Sequence, residues 1–415
     1  MSLVLLTGLV SVAAGFLAGA YPSRYAVSFP AAVVLKGSFG LSPRGRNLRN
    51  LLISIQFVSS IALIIAALFM YLQNRYMEHA PLGYDKDEVI VAGTNNTTVY
   101  KSKEAFVNEL KSYADISGVT FGQYLLSSAD QYMGWSRNFK GNDIHYYCLP
   151  VDPSFLDVLG IKLDEGRDFR PDDERTRHGA YIFNEIARKE YGLQVGDRID
   201  SAEVVGFMPD IKYTSFRKAV TPMAFYVWGT QNWGTYNSIA YVKVRAGADM
   251  RAAMQYVRKT LKTFSNGFPV NVSFYDEVLD NLYRNEQRIG SLITLFSVLA
   301  VFISIVGVFG LVFFESEYRR KEIGIRKVMG STTGQILALF NRLYLYIVGI
   351  CFLVAAPIAW YLVGQWLHNF AYRTPMSWWV FALALVLIAA VTALTVTVQN
   401  WRAANMNPID SIKEN

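Results

Sequence analysis

Five apolar runs set the outline of this chain, at 3–20, 51–71, 289–314, 336–362 and 378–398. A helix needs roughly 20 apolar residues to cross a bilayer core, and each run meets or approaches that length. Hydrophobic residues make up 52% of the chain, and it is their clustering that constrains the fold. Between the second and third runs lies 73–287, of ordinary soluble composition and long enough for one or two domains with their own core. The first run is short. It lacks a basic flank, and Ala18-Gly19-Ala20-Tyr21-Pro22 is a weak cleavage site, so it reads as a retained span rather than a signal-peptide core.

Lysine and arginine in the short loops set the orientation. The loop after the first run carries Arg24, Lys36, Arg44, Arg46 and Arg49 with no acid, and the loop after the third carries Arg319, Arg320, Lys321, Arg326 and Lys327. The tail carries Arg402 and Lys413, whereas 368–377 has Arg373 alone. Basic loops and the C-terminus therefore face the cytoplasm, and the large domain faces outward. The net charge of +7 is a topology signal, not a nucleic-acid footprint.

Little in the chain suggests chemistry. Gly330-Ser331-Thr332-Thr333-Gly334 lacks the lysine of a phosphate loop and follows a helix rather than a strand. His79, His145, His178 and His368 are scattered, so no metal site is expected. Cys148 and Cys351 fall in different environments, and a large exported domain with one cysteine suits a bacterial envelope. Asp172-Asp173-Glu174 lacks calcium-loop spacing and reads as a solvated turn. Apart from Arg342 near a cytoplasmic end, the spans hold no Asp, Glu, Lys or Arg, which argues against ion-coupled transport. No cofactor is expected.

The outer segment reads as α+β. Strands are expected at 89–92, 202–206 and 239–244. Helices are expected at 103–113, at 153–159 with Asp152 as cap, at 186–191 stopped by Gly192, and at 249–264 with Met250, Met254, Val257 and Leu261 on one face. The fold class is thus an integral membrane α-helical protein, with about five transmembrane helices and a large extracytoplasmic α+β domain.

The segment 318–330, YRRKEIGIRKVMG, is too long and too helix-prone for a simple turn between spans. Glu317 with Lys321, and Glu322 with Arg326, form i,i+4 pairs with the acid N-terminal. Ile325 and Met329 share a face with Glu322. Gly330 suits a left-handed stop, and Thr332 with Gln335 makes a capping box for the next helix. Physics alone leaves two readings: a charged knob offered to a partner, or a solvated anchor.

RRKEIGIRKVMGSTTGQI, 319–336, resembles the signature of FtsX-like, MacB-type ABC transporter permeases. The tail is similar to the family's closing motif, with Arg402, Pro408, Ile412 and Lys413. Arg49, Gln56, Gln73, Tyr76 and 82–87 (LGYDKD) resemble the opening of the same unit. Gly160, Gly166-Arg167-Asp168-Phe169, Asn184-Glu185 and Gly206 resemble a MacB-type periplasmic domain.

The resemblance implies a non-enzymatic permease subunit. A separate cytoplasmic ABC ATPase would hydrolyse ATP and dock on Arg319, Arg320, Glu322, Ile323, Gly324, Arg326, Lys327 and Gly330. Movement would pass to the periplasmic domain by mechanotransmission, for export or envelope efflux. The alternative is a regulatory mechanotransmitter that controls an envelope enzyme or senses a ligand without transport. The resemblance also implies a bacterial inner membrane and a second permease unit, either a homodimer partner or a preceding tandem half. The expected division is a leading helix at 1–20, a basic linker at 21–50, a helix at 51–72 and the periplasmic domain at 73–287. A three-helix permease domain follows at 288–400, holding the coupling segment 315–335, and then the tail at 401–415. Arg24 and Pro30, like Arg402 and Pro408, stand six apart, so the leading helix is read as a remnant of a preceding unit.

Overall fold

A computed structural model describes residues 16, 43–95, 97–126, 133–231, 237–318 and 325–404. The first apolar run, residues 319–324 and the tail motif Pro408, Ile412 and Lys413 lie outside the described residues, as does the side chain of Arg402.

Four described helices are long and apolar enough to cross a membrane: Leu51–His79, Gln287–Gly310, Thr333–Leu367 and Trp378–Trp401. Three of the full helices are longer, and Thr333–Leu367 is the span itself. The four are α1 (Pro43–His79), α6 (Tyr275–Tyr318), α7 (Thr333–Leu367) and α8 (Trp378–Ala404). Hydrophobicity does not drive helices together inside lipid, so packing and interhelical hydrogen bonds must. Phe57, Ile61, Ile65 and Phe69 form a buried ridge on α1, packed with Val308 of α6, Val348 of α7 and Ala384 of α8. Ser60 and Ser304 share a buried 2.8 Å hydroxyl bond between α1 and α6, and Ser297 donates to the Leu63 carbonyl at 2.9 Å. Pro357 lies inside α7 without ending it.

Between α1 and α6 stand two sheets. The first takes β1 (Val89–Gly93), β2 (Ile116–Gly122), β10 (Ile239–Val244) and β11 (Val272–Phe274), all antiparallel in the order β11-β1-β10-β2. Helices α2 (Lys103–Lys111) and α5 (Met250–Thr263) cover it, burying Phe106, Leu110, Val257 and Leu261 against Ile90, Phe121 and Val242.

The second sheet is inserted between β2 and β10. Its strands are β3 (Met133–Phe139), β4 (Asn142–Pro150), β5 (Glu165–Gly166), β6 (Ala180–Asn184), β7 (Arg198–Ile199), β8 (Ala202–Met208) and β9 (Met223–Val227). They run in the order β3-β4-β9-β6-β8-β5, with β7 on β8. The β4–β9 and β6–β8 pairs are parallel and the rest antiparallel. Trp135, Tyr146, Tyr181, Phe183, Tyr226 and Trp228 fill one core against this sheet. A shared core, with Leu149, Phe155, Phe225 and Tyr241, joins the two sheets.

Caps account for several helix ends. Asn184 accepts from the Ala187 N–H at the start of α4 (Glu185–Tyr191), and Gly192 ends that helix at φ 64°. Asp249 accepts from Arg251 and Ala252 at the start of α5. The helix expected at 153–159 is shorter, Phe155–Val158 (α3). Asp152 instead accepts from the Ser154 N–H and hydroxyl and pairs with Lys103.

Part of the acidic cluster departs from the solvated turn expected there. Pro171–Arg175 is a 3-10 helix in which Asp173 is buried. Both carboxylate oxygens of Asp173 accept from Arg167 at 2.8 Å, and one also takes the Arg170 N–H at 2.7 Å. Burial raises the Asp173 pKa, but the guanidinium and the N–H outweigh it and hold the carboxyl below its ordinary range.

Candidate functional site

One helix, α6, joins the outer domain to the spans. Its 44 residues span about 66 Å at 1.5 Å per residue, from Tyr275 in the outer domain to Tyr318. At its outer end β11 runs straight into it, with no loop between Phe274 and Tyr275. Tyr275 is fully buried in the core shared by the two sheets. Its hydroxyl donates to the Leu126 carbonyl at 2.8 Å, and its ring meets Tyr241 edge-on at 5.7 Å. The Tyr241 hydroxyl accepts from the Leu126 N–H at 2.7 Å and donates to the Tyr124 carbonyl at 3.1 Å. Both tyrosine hydroxyls at this attachment are satisfied, which makes it expensive to disturb.

Beside that attachment, three separate parts of the chain meet in a clasp. Gln73, buried on α1, donates to the Tyr372 carbonyl at 3.1 Å and accepts from the Thr374 N–H at 2.8 Å. Tyr372 and Thr374 belong to the loop between α7 and α8. The same Tyr372 donates its N–H to the Phe216 carbonyl at 3.2 Å, and its hydroxyl accepts from the Val220 N–H at 3.3 Å. Lys212 sits among three rings, 4.7 Å from Phe216, 4.7 Å from Tyr372 and 6.0 Å from Tyr76. Burial pushes the Lys212 ammonium below its ordinary range, while the negative ring faces favour the charged form. Phe370 joins Met77, Ala80 and Phe216 in a small apolar core, and Arg217 stacks 4.9 Å from its ring. The clasp therefore ties α1, the outer domain and the α7–α8 loop into one junction.

The inner end is built differently. Residues 325–328 are helical and stop at Gly330, whose φ is 92°. The Ser331 N–H bonds the Arg326 carbonyl at 2.9 Å and the Gly330 N–H bonds the Lys327 carbonyl at 3.0 Å, the two bonds of a Schellman stop. Thr332 and Gln335 then make the reciprocal capping box that opens α7. Ile325, Val328 and Met329 are 54%, 68% and 81% exposed. An apolar ridge flanked by Arg326 and Lys327 thus projects where a helix stops and another starts. Of the other residues expected here, Arg319, Arg320, Glu322, Ile323 and Gly324 lie outside the described residues.

Sequence reasoning singled out Gln73, Tyr76, Arg326 and Gly330. It missed Tyr275, Lys212, Phe216 and Tyr372.

These two ends are reached by the segments that match known families. The MacB-like periplasmic core domain family matches residues 51–260, half of the chain, and the FtsX-like permease C-terminal family matches 294–408. The chain belongs to the FtsX-like, MacB-type permease family. Two relatives of this MacB-type permease are both named macrolide export ATP-binding/permease protein MacB. The one from Chromobacterium violaceum is 22% identical over 288 residues, covering 66% of this chain and 44% of the relative. The one from Escherichia coli K12 is 22% identical over 354 residues, covering 77% and 52%. The permease thus spans about half the length of the curated relatives it matches. A crystal structure of the periplasmic region of MacB from Actinobacillus actinomycetemcomitans aligns with a TM-score of 0.36 at 14% identity, covering 48% of this chain and 94% of that one.

Proposed function

We propose that this permease transmits the force of ATP hydrolysis from the cytoplasm to its outer domain, and that the stroke exports envelope substrates. The observation that carries the reading is α6, a single helix rooted in the outer-domain core at Tyr275 and reaching the cytoplasmic segment at Tyr318. A rod anchored in this way cannot move at one end without moving the other. The 415 residues hold no phosphate loop, and on this reading ATP is hydrolysed by a cytoplasmic ABC ATPase. It docks on the ridge of Ile325, Val328 and Met329, with Arg319, Arg320, Glu322, Arg326 and Lys327 supplying charge. Gly330 fixes the angle between that ridge and α7.

The names of the relatives, which join ATP binding and permease in exporters, favour export over a purely regulatory relay. ABC machines close two nucleotide sites on each other, so two permease units work together in the bacterial inner membrane. The outward faces of α6, such as Leu295, Phe302 and Phe309, suit helix–helix contact within the membrane.

Label pairs test the reading. Both native cysteines are buried, so Lys140→Cys gives one reactive thiol in each outer domain. In proteoliposomes with the ATPase, the distance between the two labels is expected to change between nucleotide-free and ATP-bound states. A constant distance through the whole cycle sinks transmission. Substrate accumulation in deletion cells supports export, and its absence leaves only the regulatory relay.

A further inference from the structure

The α7–α8 loop carries a feature that the transmission reading does not use. An open groove of about 600 Å³ lies between the last turns of α7 and the start of α8, lined by Trp360, Tyr361, Gly364, His368, Arg373 and Thr374 among others. Its place is set by the clasp. Tyr372 and Thr374 hold the loop against α1 and the outer domain, so the groove opens at the level where the spans leave the bilayer on the outer side. Three properties define what fits it.

Its aromatic wall suits a membrane interface. Trp360 and Tyr361 are each 59% exposed, and Trp378 beyond the loop is 80% exposed. Such amphipathic rings collect at headgroup depth. Its floor is open, because a Cβ added at Gly364 would meet nothing within 4 Å. Positions 360, 361, 364 and 368 stand on one helical face, which makes a slot along α7 wide enough for an acyl chain.

Its rim is cationic. Arg373 is the one basic residue of 368–377 apart from His368, and that stretch holds no acid; nor does any described residue of the lining. Arg373 Nη1 donates to His368 Nδ1 at 2.9 Å. That bond fixes the direction of the guanidinium and leaves its other N–H groups, with the His368 Nε2–H, available as donors. A planar guanidinium held in this way matches the oxygens of a phosphodiester.

We propose that this groove is a binding site for an anionic phospholipid of the outer leaflet, with the headgroup phosphate on Arg373 and His368 and an acyl chain along Trp360 and Gly364. The bound lipid would stand beside the clasp, so the composition of the outer leaflet would bear on the junction between spans and outer domain. The inference depends on the membrane topology and not on the ATPase or on export.

Native mass spectrometry of the full chain, extracted in mild detergent and offered phosphatidylglycerol and phosphatidylethanolamine in equal amounts, tests it. The wild type is expected to retain phosphatidylglycerol preferentially. Arg373→Gln is expected to lower that preference about fivefold, the worth of one basic residue at an anionic membrane surface. Lys162→Gln, the same charge change at an exposed outer-domain site, is expected to leave it intact. Gly364→Phe fills the slot and is expected to lower retention of both lipids. Brominated phosphatidylglycerol in vesicles should quench tryptophan fluorescence more in the wild type than in Trp360→Phe, a comparison that needs no disruptive variant. Equal retention and equal preference in wild type and Arg373→Gln overturn the proposal. A loss confined to Gly364→Phe also overturns it, because the slot then holds acyl chains without reading the headgroup.

Discussion

The outer end of α6 and the helical turn that precedes α7 are built on opposite principles. At the outer end Tyr275 is buried, hydrogen-bonded and ringed by other side chains, and the neighbouring clasp satisfies both polar atoms of Gln73. At the inner end Ile325, Val328 and Met329 stand in the open around a sharp stop. Outer contacts are made within this chain, so they contribute to its stability. On the docking proposed above, inner contacts need another molecule, so their value appears only when that molecule is present. Variants at the outer end should therefore lose folding stability and coupling together. Variants at the inner end should lose coupling while the isolated protein stays as stable as before.

Tyr275→Ala should have the largest effect. Removing a buried aromatic side chain costs about 3–5 kcal/mol, and here it also cuts the root of α6 out of the sheet core. Thermal unfolding of the purified permease should fall sharply, and ATPase stimulation by the permease should be lost. Tyr275→Phe removes only the hydroxyl that meets the Leu126 carbonyl, a bond worth about 1 kcal/mol. Wild-type stability in Tyr275→Ala would show that α6 is not held where the structure puts its anchor.

Gln73→Leu comes next. It keeps the volume but strands the Thr374 N–H and the Tyr372 carbonyl, at about 1–3 kcal/mol. The α7–α8 loop should then release from α1, which hydrogen exchange at 372–374 would report. Unchanged protection there means that the clasp is held by its aromatic contacts alone. Lys212→Met separates those contacts further, because it keeps the stem and removes the charge among the three rings. Its cost should be about 0.5–2 kcal/mol.

How much of this was legible in the sequence follows from how far apart the partners lie. Gly192 and the Thr332–Gln335 box act within a few residues, and each appears in the structure at the helix end where it reads in the sequence, while Asn184 and Asp249 prove to be caps that went unread. Strand β10 emerges at its expected bounds. Strands β6 and β9 are buried along their whole length, so they carry no alternation to betray them. The β3–β4 hairpin did leave a trace that went unread. Trp135 and Phe139, then Ile144, Tyr146 and Cys148, alternate around Lys140-Gly141, whose φ values of 51° and 87° make a two-residue turn of the hairpin kind. The clasp left none, because Gln73, Lys212 and Tyr372 come together only after two sheets and four helices are in place. Tyr275 was hidden for another reason. Its helix continues with Asp276 and Glu277, so hydropathy starts the span at 289, nearly four turns too late to reveal a continuous rod.

At the inner end, Gly330→Val tests the stop. Nothing lies within 4 Å of a Cβ there, so any effect comes from the backbone. A β-branched residue at φ 92° is strained by roughly 1–2 kcal/mol, which the segment would relieve by unwinding the turn and turning the ridge. Coupling should drop severalfold with membrane insertion unchanged.

The smallest effect on stability, and the sharpest test of the comparison, belongs to Glu322 and Arg326. The sequence places the two four apart, a spacing that contributes only about 0.3–0.5 kcal/mol to an exposed helix, so Arg326→Glu should leave unfolding of the isolated permease unchanged. If the charge serves the ATPase, the same variant should weaken co-purification of the ATPase and its stimulation. The exchange Glu322→Arg with Arg326→Glu restores attraction within the helix but presents the partner with reversed charges. Coupling should stay low in the exchanged protein if the ATPase reads the charges, and return if the pair only steadies the helix. Wild-type coupling in Arg326→Glu alone would reduce the segment to a membrane anchor. The turn before α7 would then have no task beyond holding the chain at the membrane, and the force would have to enter the permease elsewhere.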